Sequence, residues 1–211
     1  MNYSLKNNLA TLALAITFGF TLTAPAMAAD KVAYFAGGCF WCTEADFEKI
    51  DGVGDVISGF MGGTEPDPSY RDVAYGRTTH RETVKVPYDD SKVSYQQLLS
   101  AFWRMHDPSD GKGSFVDRGR HYSSAIFYAD ADQKRLAEGA VAALKKSGKF
   151  DRPITTEVAK AEGFYAAEGY HQDYYKKAPT KYKYYRFRSG RDQFIKAVWK
   201  GDDKVYQTAK R

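Results

Sequence analysis

Cysteine is scarce in this chain: two residues in 211. So few thiols exclude a disulfide framework and a four-cysteine zinc site, which leaves burial to hold the fold, and a chain of this length can bury enough surface. Seven prolines exclude a collagenous or fibrous chain, and a 43% hydrophobic, 27% charged composition excludes a disordered one. The four histidines, His80, His106, His121 and His171, lack the close pairing that zinc sites use, so no metal is expected. No charge sign dominates strongly: a net charge of +5 permits an acidic partner without requiring one. Long apolar runs are absent beyond the first thirty residues. What the chain does have in quantity is aromatic residues, with 16 tyrosines and 13 phenylalanines.

The one apolar run, Leu9 to Thr23, follows a polar start carrying Lys6 and precedes Ala24-Pro25-Ala26-Met27-Ala28-Ala29. This is the pattern of a secretory leader, and it predicts a signal peptide over residues 1–28, cleaved after Ala28, and a single domain over 29–211. An uncleaved anchor is the alternative, but the run is short for a span and ends at Pro25. No cysteine follows it to carry a lipid. Cleavage removes Lys6 and no acid, lowering the net charge from +5 to +4. The expectation is an exported protein, periplasmic or secreted, in an oxidising compartment, with no stable membrane association after cleavage.

Along the remainder, Val32 to Phe35 reads as a buried strand closed by Gly37-Gly38, and Cys39 to Ile50 as a helix. Val53 to Phe60 and Glu82 to Pro87 read as strands, with a turn-rich linker over Met61 to Arg81. Ser94 is a good N-cap for a helix carrying Tyr95, Leu98, Leu99, Phe102 and Trp103. Ser124 to Ala129 reads as a fourth strand, and Asp130 with Gln133 opens a helix stopped at Gly148. The order strand, helix, strand, strand, helix, strand predicts an α/β (α+β) fold: a ferredoxin-like split βαβ core with a mixed sheet and extra helices. Residues 160–190, with seven tyrosines and little periodicity, are expected to form an irregular aromatic-rich wrap, followed by a short helix over 191–199.

Cys39-Phe40-Trp41-Cys42 is the sharpest local feature. It sets two thiols one helical turn apart after a strand and a glycine turn, close enough for a bridge. A thiol at a helix start gains from unpaired N–H groups, which makes Cys39 the expected thiolate and nucleophile. Covalent haem would need His after the second cysteine, where Thr43 stands. A structural disulfide over so short a loop would constrain the unfolded chain little. The motif alone therefore indicates a thiol redox protein, for which a thioredoxin-like thiol-disulfide oxidoreductase is one candidate. Its element order differs, and two bulky aromatics between the thiols suit an apolar substrate pocket better.

Taken with Glu44-Ala45-Asp46-Phe47, Asp51-Gly52-Val53, Ser58-Gly59-Phe60, Pro68-Ser69-Tyr70, Thr78-Thr79-His80-Arg81-Glu82, His106-Asp107-Pro108, Asp117-Arg118-Gly119-Arg120-His121-Tyr122-Ser123-Ser124 and Tyr170-His171-Gln172-Asp173-Tyr174, the segment Gly37-Gly38-Cys39-Phe40-Trp41 resembles the A-type peptide methionine sulfoxide reductases. The likeness runs in order through the chain after the leader. It implies reduction of S-epimer methionine sulfoxide, in oxidised proteins and peptides, with no cofactor. Cys39 maps onto the nucleophile that becomes a sulfenic acid, and Phe40 and Trp41 onto the wall receiving the methyl group. Glu82 maps onto the acid that protonates the sulfoxide oxygen, a role that needs a carboxyl kept partly protonated by burial. Tyr70 and Tyr122 map onto hydroxyls holding that oxygen, and Asp117 onto a supporting polar group. His171 has no assigned role and reads as a buried structural histidine.

The chain departs from its family in placing Cys42 where Gly is common and in having Ser189-Gly190 and no later cysteine where many relatives carry resolving thiols. The resemblance thus implies a Cys39–Cys42 disulfide, recycled by a thioredoxin-like electron donor in a monomeric enzyme; the alternative is an outside thiol acting on the sulfenic acid directly. Thr79, Arg81, His121 and Ser123 also differ from frequent family residues, which bears on substrate preference. Lys176 to Arg188, with six basic residues, no acid and interleaved aromatics, could serve single-stranded nucleic acid, but long cations over aromatic surface are common on solvated faces, and no nucleic-acid partner is expected.

Overall fold

A computed structural model describes residue 1 and residues 30–200, so the leader expected over 1–28 lies, Met1 apart, outside the described residues. β1 (Asp30–Ala36) leads through two glycines into α1 (Phe40–Phe47). β2 (Ile57–Met61), α2 (Tyr70–Ala74), β3 (Arg81–Asp89) and α3 (Tyr95–Phe102) follow. A small hairpin of β4 (Gly113–Ser114) and β5 (Asp117–Arg118) precedes β6 (Ala125–Tyr128) and α4 (Ala131–Lys146). The chain ends in β7 (Glu157–Lys160), β8 (Tyr165–Ala166), α5 (Tyr174–Lys177), α6 (Pro179–Arg188) and α7 (Arg191–Trp199).

One six-stranded sheet has the order β7-β6-β1-β3-β2-β8. Its inner four strands, β6-β1-β3-β2, are antiparallel neighbours. That is the split βαβ order expected from the sequence. β7 joins β6 in parallel after α4 and makes the sheet mixed, while β8 caps the other edge. Strand alternation divides the burial. Ala33 and Phe35 face the main core, where Phe35 packs on Phe47 and Phe102 with ring centroids 4.9 Å apart in both cases. Ala36, Met61, Ala125 and Phe127 cover the opposite face.

Local chemistry explains the helix starts. Ser94 and Gln97 form a reciprocal capping box at α3. Asp130 accepts from the Gln133 amide at α4, but Gln133 answers one residue earlier, accepting from Ala129. Two expectations need correction. The linker over 61–81 contains α2, capped by Ser69. The segment expected to be irregular is helical from Tyr174 to Arg188, in α5 and α6, with Pro179 in the first turn of α6, where its missing N–H costs nothing. Sequence periodicity missed these helices because they are short and present polar residues nearly all round, with Tyr182 alone fully covered in α6. Among the described residues no helix is long and apolar enough to cross a membrane.

Candidate active site

Antiparallel pairing of β1 with β3 sets Phe35 opposite Val84. The chain leaving β1 toward Cys39 therefore passes the start of β3, where Glu82 sits opposite Phe60 of β2. Gly38 makes the turn at φ +85°, and a Cβ there would lie 2.3 Å from the Cβ of Ser114, so only glycine fits. Cys39 is the N-cap of α1 and Cys42 lies one turn on, its N–H donating to the Cys39 carbonyl at 3.1 Å. Both thiols are free and buried.

The helix start does not serve Cys39 as expected. Phe40 N–H, the first free donor of α1, goes to Glu82 Oε2 at 2.9 Å. Burial, followed by a hydrogen bond to Cys42, pushes the Cys39 thiol well up. Cys42 is the low member: it accepts from Cys39, faces Arg191 and Arg186, and is lowered from 9.0 to about 7. The resting pair therefore gives up one proton readily and holds the second, with the charge carried on the Cys42 side. This corrects the expectation of a free Cys39 thiolate.

Glu82 is almost fully buried, and burial raises its carboxyl to about 8 despite the Phe40 bond. Tyr70 and Tyr122 are half-buried, each pushed above the ordinary tyrosine range by burial and by Glu82, with Cys39 also acting on both. Asp117 accepts from Tyr185 Oη and is raised by burial. Cys39, Glu82, Tyr70, Tyr122 and Asp117 thus come together from four separate stretches of chain. Phe40 and Trp41 stand beside them, Phe40 buried and Trp41 half-buried.

The aromatic wall is assembled by residues whose roles the sequence did not disclose. Trp41 stacks on Tyr174 at 3.9 Å between centroids and meets Tyr185 edge-on at 5.9 Å. Its Nε1 donates to His171 Nδ1 at 3.0 Å, and the His171 ring lies 4.1 Å from that of Tyr70 and 5.1 Å from that of Phe40. Burial lowers His171, and a ring accepting at Nδ1 is neutral.

The acids of α1 and one glutamine bind this wall to the sheet. Gln172 exchanges two hydrogen bonds with the Ser58 backbone, at 2.8 and 2.9 Å, and donates to the Ala167 carbonyl. Glu44, raised to about 7 by burial, accepts from Ser58 Oγ and from the Asp173 amide, both at 2.5 Å. Glu48 takes Lys176, and Asp46 takes Arg186. The oxygens of Glu44, Glu48 and Asp173 lie within 4.8 Å of one another, but the Glu44 and Glu48 oxygens are already engaged and Lys176 pairs with both Glu48 and Asp173. It is a staple rather than a cation cradle. Arg81 Nε donates to Ser123 Oγ at 3.0 Å, joining the residue before Glu82 to the residue after Tyr122. A cavity of about 490 Å³ lined by Leu99, Trp103, Leu136 and Trp199 lies on α3, α4 and α7 and includes none of these reactive groups.

The family model described as peptide methionine sulfoxide reductase matches residues 31–203. The peptide methionine sulfoxide reductase MsrA of Listeria monocytogenes serotype 4b (strain CLIP80459) is 48% identical over 169 residues, covering 80% of this chain and 96% of its own. That of Bacillus subtilis (strain 168) is 46% identical over 169 residues, covering 80% and 96%. The MsrA/MsrB protein of Vibrio cholerae is 48% identical over 170 residues, and there the chain spans 45% of the relative's length. Among solved structures, reduced Mxr1 from Saccharomyces cerevisiae superposes with a TM-score of 0.67 at 30% identity, covering 72% of this chain and 87% of the other. Methionine sulfoxide reductase A of Corynebacterium diphtheriae gives 0.63 at 34%, covering 71% and 75%.

Proposed function

The chain belongs to the peptide methionine sulfoxide reductase family, A type, and from that membership we propose a reaction for its own residues. The substrate is S-epimer methionine sulfoxide, in proteins or free. Its methyl group enters against Phe40 and Trp41. Cys39, its proton passed to Cys42, attacks the sulfoxide sulfur. Glu82, protonated below about pH 8, gives a proton to the sulfoxide oxygen, which Tyr70 and Tyr122 hold by hydrogen bonds. The oxygen passes to Cys39 as a sulfenic acid, and methionine leaves as the thioether.

Cys42 then closes the cycle. The proton it took from Cys39 passes to the Glu82 carboxylate, its thiolate attacks the Cys39 sulfur, an S–S bond forms, the S–O bond breaks, and the oxygen departs as water with that proton, after which Glu82 regains its own from solvent. A thioredoxin-like dithiol reduces the bridge by attacking Cys39, the more exposed of the two sulfurs, with Cys42 as the better leaving group. The observation that carries this reading is the contact of Cys39 with a second thiol on one side and its closeness to a buried, proton-holding Glu82 on the other.

The test is a single turnover without reductant, using reduced protein and separate S and R epimers of a methionine sulfoxide peptide. One methionine per chain from the S epimer only, with both thiols lost to one internal disulfide, is expected. Methionine with Cys42 still free would sink the internal bridge; disulfide exchange with no methionine would favour the thioredoxin-like oxidoreductase. Export, which would make the enzyme a repairer of oxidised exported proteins, rests on the leader pattern over 1–28. N-terminal sequencing of the cell-derived protein should read from Ala29, and an intact Met1 in the cytoplasm would remove that part.

A further inference from the structure

Arg191, at the start of α7, is fully buried, yet among the described residues it makes no ion pair with a carboxylate. The other well-covered guanidiniums do: Arg81 pairs with Glu157, and Arg186 with Asp46 and Asp192. Burying a cation without a counter-charge is costly, so a fold that keeps one there has a negative partner for it. Arg191 Nη1 is pinned by the carbonyls of Met105 and Gly37. Its Cζ lies 4.9 Å from the centroid of Phe115. Nε and Nη2 have no hydrogen-bond partner among the described residues. Nη2 stands 3.4 Å from where a Cβ on Gly38 would be, against the residue that precedes Cys39.

The groups acting on the thiol pair identify the missing charge. Glu82 and Asp117 face Cys39; burial holds Glu82 toward its neutral form, while Asp117, raised by burial, accepts from Tyr185 and also feels Arg191. Asp46 and Arg186 face Cys42 but are bonded to each other. Tyr182 and Tyr185 hold their protons. Of the groups that raise Arg191, Cys42 and then Cys39 come first, and both lie on the turn that Arg191 borders at Gly37 and Gly38.

We propose that Arg191 is the counter-ion of the Cys39–Cys42 pair: its buried guanidinium keeps Cys42 a thiolate while Cys39 is a sulfenic acid, and so sets the rate of bridge closure. The inference rests on the reading of Cys42 as the resolving thiol. Once Cys39 is oxidised, its thiol no longer donates to Cys42, and Arg191 becomes the main support of the thiolate. Closure is then the balanced step given above, in which the thiolate electron pair makes the S–S bond and oxygen leaves as water. Arg191 touches neither substrate nor the departing oxygen; it is a positioning residue.

Arg191→Gln removes the charge while leaving a donor for the Met105 and Gly37 carbonyls. In a single turnover of the purified chain with a methionine sulfoxide peptide, methionine release and loss of the Cys42 thiol are followed separately. The expected result is methionine release within about threefold of the parent, with closure slowed at least tenfold and the sulfenic acid trapped by dimedone. The closure rate should need a pH about one unit higher, and Arg191→Lys should recover most of it. Closure at the parent rate with an unmoved pH profile overturns the inference. If the parent chain itself releases methionine without closing, the reading of Cys42 fails and takes the inference with it; if the parent closes and Arg191→Gln matches it, the inference alone fails. Should Arg191→Gln not fold, Cys39→Ala with Arg191 intact answers the same question by thiolate absorbance near 240 nm. Cys42 titrating well below an ordinary thiol supports the assignment, and titration at or above pH 9 overturns it.

Discussion

The backbone N–H of Phe40 donates to Glu82 Oε2 at 2.9 Å, joining the residue after Cys39 to the buried acid 42 residues away. The bond does two things at once. It fixes the carboxyl beside the thiol, and it takes the helix-start donor that would otherwise have favoured a Cys39 thiolate.

Glu82→Gln tests the acid. The amide oxygen can still accept from Phe40, so the fold should hold, while the proton donor is gone. Methionine release should fall by about 10²- to 10⁴-fold, the usual worth of a general acid. Thiol–disulfide exchange should persist. Release within threefold of the parent would remove Glu82 from the mechanism.

Glu82 also makes both rate and stability depend on pH. The methionine-release rate should decline as pH rises through about 8, where the carboxyl loses its proton. For stability, the folded carboxyl titrates near 8 and the unfolded one near 4.5. Between these values the folded chain keeps a proton that the unfolded chain has lost, so stability falls as pH rises across the window, by about 1.4 kcal/mol for each pKa unit at most. Urea midpoints measured at pH 5.5, 7 and 8.5 should decrease in that order, and the slope should flatten in Glu82→Gln.

His171 is the ring on which the aromatic wall leans. His171→Ala removes the acceptor of Trp41 Nε1 and the packing against Tyr70 and Phe40. A loss of about 2 to 3 kcal/mol is expected, a drop in Tm of roughly 5 to 10 °C. The KM for peptide sulfoxide should rise more than kcat falls. Unchanged KM would show that the wall does not depend on this ring.

Gln172→Ala should loosen the same wall from outside by removing three hydrogen bonds to Ser58 and Ala167. At roughly 1 kcal/mol each, the loss is about 2 to 3 kcal/mol. Because Gln172 and His171 belong to one stapled segment, the double variant should lose less than the sum of the two singles. Strict additivity in a thermal-melt cycle would argue against the staple.

Ser94→Ala provides the contrast, since it breaks the capping box of α3 far along the chain from the thiols. Stability should drop by about 1 kcal/mol with kcat/KM unchanged.

Strand alternation, capping residues and turn glycines are short-range signals, and they made the split βαβ core legible: α3 starts at Ser94 and α4 at Asp130 as their side chains require. The thiol pair was legible for the same reason, because Cys39 and Cys42 lie within one turn. α5 and α6 were not, because they are short, present polar residues nearly all round and give no apolar stripe, Tyr182 alone being buried. Glu82 shows the boundary most sharply. Its position in β3 could be read from the pattern, but its proton affinity depends on how completely Phe40 and the sheet exclude water from it.

The amino-acid sequence by itself determined the order of the split βαβ core, the family likeness and the two sulfurs available for chemistry, since these follow from neighbours in the chain. The tertiary structure alone decided that burial pushes the Cys39 thiol up while Cys42 is lowered, that His171 and Gln172 build the aromatic wall beside the thiols, and that Arg191 is a buried cation with no carboxylate ion pair among the described residues. Those properties depend on desolvation and on Coulomb interaction between groups far apart in the chain, such as Cys42 and Arg191, and they arise only when folding excludes water and brings such groups together.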